Sequence, residues 1–132
     1  MKKSFPRIPD SELEIMLVLW NGHEDMSRSE IEAELNTKKN WAPTTINTLL
    51  SRLEQKSFLS VTKQGKTNLY TPMITQEEYL GQESHTILQT LFNNSLENFV
   101  TALYHGKKID SEKLQELDSF LKDLEEEEDS SK

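Results

Sequence analysis

The sequence has no cysteine. That excludes disulfides, thiolate metal sites and cysteine nucleophiles together, and it fits a reducing compartment. No apolar run approaches the roughly 18 residues a membrane span needs. The opening MKKSFPRIP carries basic residues but lacks the apolar core of a secretory signal. The expectation is a cytoplasmic protein without membrane insertion. His23, His85 and His105 lie far apart in the chain and in no metal-ligand spacing. A Gly-rich phosphate loop and a nucleophile elbow are missing too. The chain is therefore expected not to be an enzyme, and to hold neither cofactor nor metal.

Positive charge is also scarce overall: 15 Lys and Arg stand against 23 Asp and Glu, a net charge of −8. Taken whole, this argues against a polyanionic partner. Its distribution points the other way. Residues 1–74 hold 10 basic and 9 acidic side chains, and residues 75–132 hold 5 and 14. Within residues 36–67, Lys38, Lys39, Arg52, Lys56, Lys63 and Lys66 face only Glu54. A partner responds to the local field, so this segment is the candidate surface for nucleic acid.

What is present centres on residues 41–72, WAPTTINTLLSRLEQKSFLSVTKQGKTNLYTP. Ile46, Leu49, Leu50 and Leu53 recur at helical spacing and line one face. Thr44, Asn47, Thr48, Ser51 and Arg52 occupy the other. An ordinary solvated face would use Glu, Lys and Gln, which favour helix more than Thr, Asn and Ser do. A small, hydrogen-bonding face that breaks local preference without a folding gain suits close approach by a ligand. Pro43 fits the first turn. Leu59 and Val61 alternate with polar residues as in a half-buried strand, Gln64-Gly65 supplies a turn, Asn68-Leu69-Tyr70 returns, and Pro72 stops the pairing.

Before this segment, residues 1–9 read as a loose arm. A helix opens at Asp10 or Ser11, with Glu12 and Glu14 in its first turn, and is apolar nearly all round through Trp20, so it should be buried. Asn21-Gly22 ends it. A short extended piece is expected around residues 24–26. Ser27 and Glu30 form a capping box for a second helix reaching about Lys38. Beyond Thr75 only helical periodicity remains. Leu88, Leu91, Phe92, Leu96, Phe99, Val100 and Leu103 make one stripe. Gly106 breaks it, Asp110 caps the next helix, and Leu114, Leu117 and Leu121 continue. Two amphipathic helices cannot bury both stripes alone, so a second copy of the chain is the economical partner. The domains read as 1–74, 75–125 and an acidic disordered tail, 126–132.

The order of three helices and a hairpin is that of a winged helix, giving a mainly α fold with a small β-hairpin wing followed by a helical dimerisation region. SELEIMLVLW at 11–20, NWAPTTINTLLSRLEQK at 40–56 and GKTNLYTP at 65–72 resemble the BlaI/MecI/CopY repressors, also called penicillinase repressors. The resemblance implies a homodimeric repressor of a resistance or metal-homeostasis operon, bound to a palindromic double-stranded operator of TACA…TGTA type. It also implies a membrane sensor or protease acting upstream. Thr44, Thr45, Asn47 and Thr48 match the positions that enter the major groove, and Lys63, Gly65 and Lys66 match the wing. The copper-responsive members bind metal through a cysteine hook that this chain lacks. The β-lactam-responsive members are cut at an Asn-Phe bond, and Asn98-Phe99 is such a dipeptide, about four residues before the aligned position. The bland reading of Phe99 is a dimer-core residue. The family usually places Gly where this chain has Ser57, so another C-cap is expected for the third helix.

Bases would be read by Thr44, Thr45 and Thr48, which offer methyls and hydroxyls, and by Asn47, which can pair bidentately with adenine. Thr44 also has a capping reading. Phosphate contacts are expected from Lys38, Lys39, Ser51, Arg52, Lys56, Lys63, Gly65 and Lys66, helped by N–H groups at the helix start. Trp41 reads as core or hinge, and Trp20 as core. The rival reading is a winged-helix protein-interaction module without its own operator; the basic segment 36–67 argues against it.

Overall fold

Helix α1 (Asp10–Asn21), strand β1 (Met26–Ser27), helices α2 (Arg28–Leu35) and α3 (Pro43–Gln55), strands β2 (Leu59–Gln64) and β3 (Thr67–Pro72), and helices α4 (Gln76–Phe92), α5 (Leu96–His105) and α6 (Ser111–Ser130) follow in that order in the computed structural model, which describes residues 5–130. The chain divides into two units, one running through Glu83 and the other from Ser84.

The first unit has a single core. Ile15, Met16 and Leu19 of α1, Ile31 and Leu35 of α2, and Ile46, Leu49, Leu50 and Leu53 of α3 are buried together with Phe58, Leu59 and Tyr70. The apolar stripe on α3 is therefore the buried one. Trp20 and Trp41 are half-buried against this core; the Trp20 indole N–H donates to the Ile74 carbonyl at 3.0 Å. Ser27 accepts from the Glu30 amide at 3.2 Å while the Glu30 carboxylate accepts from the Ser27 amide at 3.0 Å, completing the capping box of α2. This helix ends at Leu35, earlier than expected, and turns follow it.

The expected extended piece is a third strand. β1 pairs antiparallel with β3, Met26 opposite Tyr70 and Ser27 opposite Leu69, so the sheet order is β1-β3-β2. The hairpin runs from Leu59 opposite Pro72 to Gln64 opposite Thr67. Pro72 is thus the last paired residue, not the first beyond the sheet. The turn is Gly65-Lys66, and Gly65 takes a φ of 65°, which glycine adopts without steric cost.

Two expectations about the ends of this unit are corrected. Residues 1–4 of the loose arm lie outside the described residues, but its remainder is docked. Ile8 is buried, its amide donates to the Tyr79 hydroxyl at 3.1 Å, and the Phe5 ring stacks on Tyr79 with centroids 6.1 Å apart. Arg7 pairs with Glu83 at 2.9 Å. The unit also does not stop at residue 74. Thr75 and Glu78 form a second capping box, and the helix it starts brings Tyr79 into the core.

Helix α3 ends in a way its composition hides. Ser57 itself takes the left-handed conformation, φ 67°. Its amide donates to the Glu54 carbonyl at 3.0 Å, and the Phe58 amide donates to Leu53 at 2.9 Å. These bonds form a Schellman motif, with Phe58 and Leu53 both in the core. No other C-cap serves; serine occupies the glycine geometry.

In the second unit the expected first stripe is two helices. Asn93 and Asn94 both have positive φ, 50° and 63°, which asparagine tolerates better than most residues. Ser95 then caps α5, accepting from the Asn98 amide at 3.0 Å. Asp110 caps α6 as expected, accepting from the Lys113 amide at 2.9 Å. The acidic residues expected in a disordered tail continue α6 through Ser130; residues 131 and 132 lie outside the described residues. Among the described residues, no helix is long and apolar enough to cross a membrane.

Ser57→Gly should raise stability by about 1 kcal/mol, because an L side chain in the left-handed region costs roughly that much. Urea unfolding would measure it; an unchanged or lower midpoint would mean that Ser57 is not held in this conformation.

Candidate nucleic-acid interface

Helix α3 buries Ile46, Leu49, Leu50 and Leu53, so Thr44, Thr45, Asn47, Thr48, Ser51 and Arg52 are exposed together. Its N-cap is Ala42, which makes no side-chain cap bond, and Pro43 opens the first turn. The capping reading of Thr44 is therefore not realised. Its carbonyl instead accepts from the Thr48 hydroxyl at 3.0 Å. That bond uses the Thr48 proton, so the Thr48 oxygen faces a ligand as an acceptor. With no capping side chain, the first-turn N–H groups of α3 remain available to an anion.

Lys38 and Lys39 lie in the turn after α2, Lys63 on β2, and Lys66 beside Gly65 at the hairpin tip; all are exposed. These four lysines and Arg52 have no carboxylate partner among the described residues. Lys56 departs from the expected set. Its ammonium donates to Glu12 at 2.9 Å, where the glutamate side chain is only 4 % exposed. Glu12 is the one buried charged residue among the described residues, and Lys56 compensates it. The lysine is a tether between α1 and the end of α3, and its charge is already committed.

The structure also brings the start of α2, which the sequence alone did not place at the interface, beside Asn47, Lys66 and Tyr70, whose hydroxyl the sequence already offered to phosphate. A polar cleft of about 460 Å³ separates the start of α2 from α3 and the hairpin. Ser27, Arg28 and Ser29 line one wall, Asn47 another, and Lys66, Asn68 and Tyr70 the third. The capping box locates the α2 start in sequence, but only the pairing of Met26 with Tyr70 brings it beside the hairpin. Arg28 is held by Glu32 at 2.6 Å.

The loop before β1 carries a second clamp. His23 Nδ1 faces the Glu24 carbonyl at 2.8 Å and Nε2 faces the Glu30 carboxylate at 2.6 Å. Both ring nitrogens meet acceptors, an arrangement that only the doubly protonated ring satisfies. The Glu24 carbonyl, then Glu30, hold the imidazole above its ordinary 6.5. The Ser27 amide, then His23, hold Glu30 below its ordinary 4.5. What His23 contributes to stability is complete below 6.5 and is lost as pH rises through the raised folded value. What Glu30 contributes is complete above 4.5 and is lost as pH falls through the lowered one.

A winged helix that turns a small polar helix face and a set of uncommitted cations to solvent defines a DNA-binding transcriptional regulator. The penicillinase repressor family model matches residues 8–123. The penicillinase repressor of Bacillus licheniformis is 34% identical over 121 residues, covering 92% of this chain and 94% of that protein. The methicillin resistance regulatory protein MecI of Staphylococcus aureus is 24% identical over 114 residues, covering 86% and 92%. Among solved structures, the DNA-binding domain of the repressor BlaI matches with a TM-score of 0.51 and 42% identity, covering 60% of this chain and 94% of that one. The monomeric form of Bacillus licheniformis BlaI in complex with the blaP half-operator matches with a TM-score of 0.50 and 39% identity, covering 58% and 92%. The chain belongs to the penicillinase repressor family.

An NMR titration of the His23 ring should give an apparent pKa above 6.5, and Glu30→Gln should lower it. A ring that titrates identically in both proteins would show that the clamp does not form.

Proposed function

We propose that this chain is a homodimeric, sequence-specific repressor that binds a TACA…TGTA-like palindrome and blocks transcription of a resistance or metal-homeostasis operon. The observation that carries it is the exposed face of α3, where Thr44, Thr45, Asn47 and Thr48 project together while Ile46, Leu49, Leu50 and Leu53 anchor the helix beneath them. The winged-helix unit acts as the DNA-binding domain. Asn47 reads adenine through its amide, and the threonines supply methyls and acceptors to thymine and neighbouring edges. Lys38, Lys39, Ser51, Arg52, Lys63, Lys66 and the Gly65 backbone meet phosphate, and a DNA target puts the working protein in the cytoplasm. BlaI on the blaP half-operator supports the same use of the same fold.

The second unit acts as the dimerisation region. Among its described residues none is fully buried. Leu91 is 70% exposed, Leu96 and Phe99 are also exposed, and so are Phe120, Leu121 and Leu124 on α6. Leu88, Phe92, Val100, Leu103, Leu114 and Leu117 are half-buried. Such a face is covered when a second copy supplies its equivalent, and a palindrome then receives one winged helix per half-site. Dimer loss therefore releases DNA. Asn98-Phe99 is the cleavage bond in this reading, under an upstream membrane sensor or protease. The bond lies in the first turn of α5, where the Phe99 amide donates to the Ser95 carbonyl at 3.1 Å. Cleavage thus requires that turn to open, since a protease acts on locally unfolded chain.

Binding to a TACA…TGTA palindrome and to a scrambled duplex at two salt concentrations tests the proposal. Expected are preference for the palindrome and a loss on the order of 10⁵ between about 50 and 200 mM salt for phosphate contacts from both protomers of the dimer. Equal, weak binding to both duplexes would instead favour a protein partner. Asn47→Ala should cost about 1–3 kcal/mol and relax preference at one base position; unchanged preference there would remove its base-reading role. Lys63→Ala with Lys66→Ala should flatten the salt slope and spare the fold. Lys56→Gln should do the opposite, costing about 1–3 kcal/mol of stability by orphaning Glu12 while leaving the slope alone. A flattened slope in Lys56→Gln would return that lysine to the phosphate set.

A further inference from the structure

The cleft between α2, α3 and the hairpin contains a hydrogen-bonding group that the fold does not use. Tyr70 is only 9% exposed, with its ring in the core, yet it lines the cleft. Its hydroxyl has no hydrogen-bond partner among the described residues, and its oxygen is not sealed from solvent. A buried tyrosine normally finds a partner for its hydroxyl. Tyr79, the other tyrosine in this core, accepts from the Ile8 amide. If only packing mattered at position 70, phenylalanine would serve as well.

The groups around that hydroxyl share one character. Met26 pairs with Tyr70 across the sheet, so the first turn of α2 begins immediately beside it. The Ser29 N–H in that turn has no intrahelical acceptor, and the Ser29 hydroxyl is exposed. Lys66 brings an uncommitted ammonium from the hairpin tip. Among the described residues no carboxylate lines the cleft. An acid-free pocket whose open positions are O–H, N–H and ammonium donors is chemistry for an anion. Asn47 lines the same cleft from α3.

We infer that this cleft is the seat of one DNA backbone phosphodiester, held by the Tyr70 hydroxyl, the Ser29 amide in the first turn of α2 and Lys66, adjacent to the base read by Asn47. The inference rests on the repressor reading above and adds a positioning role to it. The phosphate carries no sequence information; it fixes how far α3 enters the groove. Tyr70 is suited to this because its ring is clamped in the core while a lysine at the surface is not. Lys66 contributes charge, and Tyr70 contributes a fixed point.

Tyr70→Phe keeps the ring and removes only the hydroxyl. The wild type and this variant would be titrated against duplexes carrying a single neutral methylphosphonate, moved one position at a time through the half-site. The variant should bind unmodified DNA about tenfold more weakly per half-site, whatever the sequence, as expected for one hydrogen bond to a charged group. One methylphosphonate position should weaken the wild type and have a much smaller effect on the variant, because the contact is already lost there. The unfolding midpoint of the variant should match that of the wild type. Equal affinity of the two proteins for unmodified DNA would overturn the assignment, and so would losses that simply add at every methylphosphonate position. A wild type that binds no duplex would overturn the repressor reading itself, a result distinct from a wild type that binds with Tyr70 uncoupled.

Discussion

Burial of one stripe of α3 is the constraint on which the rest depends. Ile46, Leu49, Leu50 and Leu53 are each at most 4% exposed. Four such side chains contribute roughly 6–12 kcal/mol as an upper estimate, comparable with the whole net stability of a small domain. A helix held that firmly cannot rotate, so the opposite face is presented in one orientation. Thr44, Asn47, Thr48 and Ser51 have poor helix propensity, and the stripe beneath them lets the helix carry them. The tether from Lys56 to Glu12 and the left-handed Ser57 fix the end of this helix, where the chain turns directly into the hairpin.

The hairpin depends in turn on the short strand β1. Two rungs, Met26–Tyr70 and Ser27–Leu69, join the helix-turn-helix to the wing. They place the capped start of α2 against the hairpin and create the polar cleft. The His23–Glu30 pair closes the same capping box from the loop side. Strand alternation then puts Asn68 and Lys63 on the Tyr70 face. Core packing and the candidate DNA surface are therefore two ends of the same strands, which is why a tyrosine can serve both.

Charge separates the chain by role. The cations of residues 36–67 stay uncommitted except for Lys56, while the helices beyond Ser84 carry the acidic excess together with exposed Leu and Phe side chains. The exposed apolar side chains suit association with a like chain, and the acidic excess discourages contact with phosphate. The proposed division of labour follows, with one unit for DNA and one for self-association.

Helix identities, the Ser27–Glu30 and Asp110 caps, the hairpin and the polar face of α3 were legible in the sequence because each is a local pattern, set by periodicity of 3.6 or 2 or by a capping side chain. The break at Asn93-Asn94 was also local, but continuous apolar spacing across it hid the signal. Other features were decided only by tertiary structure. Phe5 and Ile8 look like a loose arm until Tyr79 gives them a surface, and that contact moves the edge of the first unit from residue 74 to Glu83. Lys56 looks like any surface lysine until α1 brings a buried Glu12 within 2.9 Å. Ser57 takes a conformation its side chain disfavours because Phe58 must enter the core one residue later. The cleft lined by Ser29, Asn47, Lys66 and Tyr70 joins residues from three elements. Periodicity reports which face of an element is apolar; what that face meets, and which charges are consumed there, depends on chain closure over tens of residues, which no local pattern encodes.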